Sequence, residues 1–375
     1  DIIARALSAR QAARLASGAQ GDGAGLVTFR GTSAGSSART VESRLRDTAS
    51  LKDFGAVGDG VANDTAAVQA WATHCATNHV RGYAPPGTYR LTATITVPTS
   101  DGFALRGAGP TSTVFSMATD NTVIFDLGAT VVDTWSRYCD FGGFTLTYAN
   151  VQTSAMTSAL PIRFSAMWFQ SRFTEIRFLR GYYCMSVGSG VLAPWGCEFN
   201  NLFLDREVTG GFYDMLASGA SSVPNNFFGR LGADALNCTQ TLFRNFKGYN
   251  TFFATFEVFS LRSPMFHFAA DARFVFGAIK SENADLTGIS NWNTQFGTTG
   301  IINLPSGAIQ IGQLDFSGST NKLNPTQTGY LFVGTARSLR IEYLKIDATQ
   351  AVTNFYVFGT NNISPERNDK PEWVA

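Results

Sequence analysis

The chain is poor in charge. Asp, Glu, Lys and Arg make up 15% of its 375 residues, and 29 basic against 28 acidic residues leave a formal charge of +1. So weak a net field does not recruit phosphate backbones or anionic membrane surfaces, and nucleic acid is not an expected partner. Histidines number three, His74, His79 and His267, and cysteines five, at 75, 139, 184, 197 and 238, with no C-x-x-C pair. That pattern argues against a zinc site and a disulfide framework; buried free thiols are expected, with no metal and no cofactor. No run of about 18 apolar residues is present, so no membrane insertion is expected.

Phenylalanine, in contrast, contributes 31 residues, and much of the remaining surface must be Ser, Thr, Asn and Gly. Such a composition suits stacked strands and turns, and the length fits one elongated domain with an N-terminal appendage. Residues 1–20, DIIARALSARQAARLASGAQ, are rich in helix formers and stop at Gly18. The apolar face of this helix (Ile3, Leu7, Leu15) is too thin to be stable alone, so it is expected to pack on a partner or on its own copies. A second short helix is expected over 41–46, after a Gly/Ser-rich segment.

Residues 50–71, SLKDFGAVGDGVANDTAAVQAW, place glycines and aspartates ahead of a helical pattern. Gly55, Gly58 and Gly60 match neither phosphate-cradle spacing, which removes the nucleotide-binding reading. Asp64 or Asn63 caps the helix, and Val68, Trp71 and Cys75 share one face. Next come a Pro-Pro-Gly turn and a strand in which Leu91, Ala93, Ile95 and Val97 alternate with polar residues, then LRGAG with a corner at Gly107 and Gly109.

DFGAVGDGVANDTAAVQAW, followed by PPGTYRL and LRGAG, resembles the N-terminal signature of the pectate-lyase-like superfamily. With RTVESRLRDTASLKDFGA ahead of it, it is similar to bacteriophage tailspikes and tail fibres. The resemblance implies an all-β fold, a right-handed single-stranded parallel β-helix whose open end is plugged by the helix. Asp53, Asp59 and Asp64 are then turn and cap residues. The resemblance is specific over about residues 40–110 and architectural beyond.

A β-helix must show a strand repeat, and one is present. Apolar residues recur at 0, +3 and +5: Phe141, Phe144, Leu146; Phe173, Ile176, Phe178; Phe199, Leu202, Leu204; Phe228, Leu231, Ala233; Phe253, Phe256, Val258; Phe276, Ile279; Ile311, Leu314, Phe316; Ile341, Leu344, Ile346. Successive starts lie 23 to 35 residues apart, which accommodates one coil of short strands and turns. The step from 0 to +3 requires a bend that lets both ends face inward. Stacked coils would then place phenylalanine on phenylalanine in internal ladders. The expected organisation is an N-terminal connector over 1–49, the β-helix cap and first coils over 50–110, the β-helix body over 111–362, and a polar tail over 363–375.

The strings of polygalacturonase-like relatives (N-T-D, D-D, G-H-G) do not occur, and no acidic cluster of the pectate-lyase kind is visible. Glycoside hydrolysis needs two carboxylates held at a set separation. Aligning the eight copies puts Asp205 and Asp234 at +6 of neighbouring coils, with Glu282 and Asp347 further along the column. An aspartate just after a strand is also a common turn former. Glu207 and Glu257 are further catalytic candidates, each equally a solvated outer-face charge. His74 belongs to the cap, and His267, between Phe266 and Phe268, reads as structural. Trp195, Tyr182, Tyr183 and Tyr213 are placed in the turns between copies, as platforms on which sugar rings could stack.

The resemblance implies a phage or prophage tail protein that binds host capsule or lipopolysaccharide and is a candidate depolymerase. Homotrimers and N-terminal attachment to other virion tail proteins are expected, at the virion tail and the host cell surface. The alternatives are a non-catalytic structural or receptor-binding virion protein and a free bacterial polysaccharide lyase or hydrolase.

Overall fold

The computed structural model describes residues 2–19, 22–128, 135–187, 194–215, 225–246, 250–268, 272–282, 284, 300–304, 307–317, 330–334, 338–347 and 356–358. The expected tail at 363–375 lies outside them. Helix α1 (Ile2–Leu15) and helix α2 (Val41–Leu45) flank a small antiparallel hairpin, Thr28–Arg30 with Ala38–Thr40. From Thr48 onward every strand pairing among the described residues is parallel, between strands one coil apart, as a β-helix requires. Among the described residues fourteen strands form one sheet, eleven of them in one continuous path with three more pairing beside it, and ten strands form a second sheet. A two-stranded sheet, Trp135–Arg137 with Met167–Phe169, lies on a third side of the coils.

Helix α3 (Thr65–Asn78) covers the first coil. It buries Val68, Trp71, Ala72, Cys75 and Ala76, and the Trp71 indole N–H donates to the Ala49 carbonyl at 3.0 Å. The aspartates before it build the entry. Asp53 completes a capping box with Ser50. Asp59 accepts from the backbone N–H groups of Ala62 and Val61, which hold its carboxyl below the usual range. Asp64 stands at the N-cap, but its carboxylate turns back and accepts from Val57 and Gly58 at 2.7 and 3.1 Å. The Asn63 amide oxygen receives the Thr65 N–H instead.

The eight-copy alignment is the observed register. Phe141, Phe173, Phe199, Phe228, Phe253, Phe276, Ile311 and Ile341 lie opposite one another in sequence, and the +3 residues do the same. From Phe173 to Phe276 the rings stack with centroids 4.5 to 5.1 Å apart and planes within 16° of parallel. A second stack from the ten-stranded sheet, Phe212, Phe243 and Phe266, meets the first edge-on. The bend after position 0 is made by left-handed residues at Gly143, Glu175 and Asn201. Another corner recurs three residues before each position of the inward column from Gly82 and Leu105 to Phe253: His79, Gly102, Tyr138, Gln170, Gly196, Asn225 and Asn250 all have φ between 49° and 69°.

One strand expectation needs correction. Residues 91–97 form two strands, Gly87–Leu91 and Ile95–Val97, in different sheets. The chain turns at Thr92, whose N–H is held by the Thr65 hydroxyl at 2.8 Å, and Ala93 is exposed. In the sixth copy the +5 place is taken by Ser281, fully buried beside Val258, with no hydrogen-bond partner for its hydroxyl among the described residues. All five cysteines are buried and free; burial pushes the Cys139 thiol up to about 11 and those of Cys75 and Cys197 to about 12.

Replacing Phe228 by Ala removes the middle ring of the stack and is expected to cost about 3–5 kcal/mol in denaturant unfolding. Ser281→Ala removes an unsatisfied buried hydroxyl without adding volume and is expected to leave stability unchanged or raise it by up to about 1 kcal/mol; a clear loss of stability in this variant would show that the hydroxyl has a partner.

Candidate functional site

The outward-facing side chains of the long sheet between residues 172 and 257 carry the densest polar arrangement of the described surface. Because the inward columns lock the register, outward residues of successive coils also fall into rows. One row runs Arg177, Phe203, Gly232, Glu257. The Phe203 ring packs an edge against Gly232, where a Cβ would stand 2.8 Å from the ring. Only glycine leaves room for that packing.

Around this ring, arginines reach from one coil to a carboxylate on a neighbouring one. Arg177 donates to Asp205 at 2.5 Å, and Arg206 contacts Asp234 at 3.0 Å. Arg180 pairs with Glu207 at 2.9 Å, Arg230 with Glu257 at 3.6 Å, and Arg172 with Asp140 at 3.3 Å. All four acidic residues expected from the sequence to act in catalysis are thus counter-ions of arginines on the preceding coil. Asp205 and Asp234 do stand in neighbouring coils, each directly after the paired residues Leu204 and Ala233. One oxygen of Asp234 is buried without a hydrogen-bond partner among the described residues. Glu207 follows in the turn, and Glu257 lies in the other row, between Gly232 and Lys280.

The aromatic candidates divide. Tyr182, Tyr183 and Tyr213 do not lie exposed in turns: Tyr183 and Tyr213 belong to strands of the ten-stranded sheet, and all three are buried. Tyr183 donates to the Thr241 carbonyl, and its ring faces the Arg244 guanidinium at 4.8 Å, which in turn forms a buried two-point pair with Asp214. Here the aromatic bodies are packing. Trp195 is 39% exposed and continues a row that the sequence reading missed: Trp135, 48% exposed, then Phe169, then Trp195, on three consecutive coils, with centroids 6.5 and 5.8 Å apart. Its signal was the placement of each ring one to three residues ahead of the recurring left-handed corner at Tyr138, Gln170 and Gly196.

Among the described residues no three His, Cys, Asp or Glu side chains converge as a metal-ligand set. His267 is held between two buried rings, and burial pushes its imidazole from 6.5 down to about 4. Its native form is neutral, so the unfolded chain binds the extra proton first.

Residues 48–156 match the family described as "Rhamnogalacturonase A/epimerase, pectate lyase-like". No curated protein matches the chain by sequence. Three solved structures are similar over most of it. The Acinetobacter phage vb_AbaP_AS12 gp42 tailspike superposes with a TM-score of 0.62 at 9% identity, over 83% of this chain and 55% of that one. A tailspike mutant of E. coli bacteriophage HK620, in complex with a pentasaccharide, gives 0.61 at 12% identity, over 91% and 70%. The Agl-KA catalytic domain gives 0.51 at 13% identity, over 84% and 68%. The chain therefore spans 55 to 70% of the length of these structures. It has the pectate-lyase-like parallel β-helix fold that phage tailspikes also have.

Stability contributed by neutral His267 is complete above pH 6.5 and is lost progressively as pH falls to about 4. His267→Phe is expected to flatten that part of the acid-denaturation curve, read by thermal melts at stepped pH; an unchanged slope would place the acid sensitivity elsewhere.

Proposed function

We propose that this chain is the glycan-binding body of a tailspike-type virion protein, one that recognises a bacterial surface polysaccharide along its flank. The observation that carries the proposal is the row Trp135, Phe169 and Trp195 on consecutive coils of a rigid scaffold, two exposed indoles with a half-buried ring between them. Exposed aromatic rings in line offer stacking faces to successive sugar units, and the row runs along the β-helix axis as an extended glycan would. The likeness in fold to tailspikes, one of them holding a pentasaccharide, supports the same reading. Residues 1–49 would then serve attachment to other virion proteins, and the working assembly would be a homotrimer, a state that light scattering on the purified chain reads directly.

A second reading adds cleavage, favoured by the placement of Asp205 and Asp234 on adjacent coils. Their arginine partners support a holding role instead, because each carboxylate already accepts from a guanidinium of the preceding coil.

In binding assays against purified capsular and lipopolysaccharide glycans, Trp195→Ala is expected to weaken the glycan that binds by about tenfold without changing the melting temperature. Binding unaffected by loss of this ring would remove the flank from the interaction. Size-exclusion of the same glycan, before and after incubation, separates the two readings: shortening abolished by Asp205→Asn with Asp234→Asn would assign cleavage to that pair, and unchanged length with co-elution supports binding alone.

A further inference from the structure

Four of the ion pairs on the long-sheet face share an asymmetry that bears on which sugars are recognised, while Arg106–Glu175 on the same sheet has the reverse. In the four pairs Arg172–Asp140, Arg177–Asp205, Arg206–Asp234 and Arg230–Glu257, the arginine side chain is 44 to 69% exposed and the carboxylate only 16 to 31%. The buried partner holds the fork and the cationic end points outward. Arg177 and Arg206 engage their carboxylates through one and two N–H groups, out of the five that a guanidinium carries, so donors remain on the solvent side.

Stability does not account for this recurrence, since half-exposed pairs contribute only about 0–1 kcal/mol each. Nor would stability select arginine, yet the chain has 23 arginines and six lysines. A planar fork matches a carboxylate in two-point geometry where an ammonium does not, and a fork already held in place loses less freedom on binding. Among these forks the half-buried Phe203 ring packs its edge against Gly232 and is bordered by Arg177 in its own row. An apolar ring face next to fixed guanidinium groups is the complement of a sugar ring that carries an acid group.

We infer that the long-sheet face recognises an anionic polysaccharide with a carboxylate in its repeat, Arg177, Arg206 and Arg230 addressing the acid groups and Phe203 a ring face. The inference rests on the polysaccharide-binding reading and specifies its substrate class. The net charge of +1 is consistent with it, because the exposed cationic ends are balanced by carboxylates beneath them. Recognition is then short-range and geometric.

The test uses the full chain against an array of bacterial capsular polysaccharides, acidic and neutral, each acidic one also in carboxyl-reduced form, with inorganic polyphosphate as an anion lacking a sugar ring. Arg230→Gln breaks the longest of the four pairs, and Arg206→Gln with Asp234→Asn removes a guanidinium together with its counter-ion, so that no lone buried charge remains. Melting curves establish that each variant folds; should the double variant not fold, Arg230→Gln alone decides. The expected result is binding to an acidic polysaccharide, loss of that binding on carboxyl reduction, and weakening of about tenfold in each folded variant. Three results would overturn the inference while leaving the polysaccharide reading in place: preference for a neutral glycan, equal binding of the carboxyl-reduced form, or wild-type affinity in Arg230→Gln. Polyphosphate bound as tightly as the best glycan would reduce the face to a cation exchanger and overturn it too. Binding to no glycan at all would overturn both readings.

Discussion

The fold depends on one repeated contact, the face-to-face packing of an inward side chain on the equivalent side chain one coil away. From Phe173 to Phe276 this contact is phenylalanine on phenylalanine, with planes nearly parallel. A slip of one residue in any coil would turn its inward set to solvent, so the stack fixes the register of every strand in the long sheet. It also fixes where outward side chains stand. The row Arg177, Phe203, Gly232, Glu257 exists because Phe173, Phe199, Phe228 and Phe253 are stacked behind it. The surface is positioned by the core without needing interactions of its own.

That dependence explains what the amino-acid sequence disclosed. Inward columns were legible because their residues are apolar at every copy, and the pattern 0, +3, +5 survives turn lengths that vary from coil to coil. Ser281 was passed over because it is the one polar residue in an otherwise apolar column. Alternation over Leu91 to Val97 misled for a different reason: a corner at Thr92 to Thr94 preserves the period of two while moving the chain to another sheet. Tyr182, Tyr183 and Tyr213 were misplaced because the strands they lie in or beside, Tyr183–Val187 and Gly211–Asp214, bury every residue they contain and so show no alternation to mark them as strands.

The candidate site was legible only through the core. Arg177 and Asp205 are 28 residues apart, as are Arg206 and Asp234, and no local motif links them. Once the inward rings are aligned the aspartates fall side by side. Reading acids alone, however, suggests a catalytic pair, whereas reading each acid with the arginine one coil away shows a counter-ion. The ratio of arginine to lysine was the compositional sign of this.

Such an arrangement has a cost in geometry that only a β-helix easily meets. A surface arginine on a mobile loop samples many rotamers and loses that freedom when it binds. Here the stems of Arg177 and Arg230 rise from strands whose neighbours are fixed about 4.8 Å away on either side, and each fork is anchored by a carboxylate on the next coil. The same stacking that buries the rings therefore supplies guanidinium groups already ordered in two dimensions: by the strand along its length and by the coil repeat along the axis. An extended polymer lying along that axis would meet its contacts at the spacing of the coils, and the recognition surface would lengthen by one row for every coil added to the core.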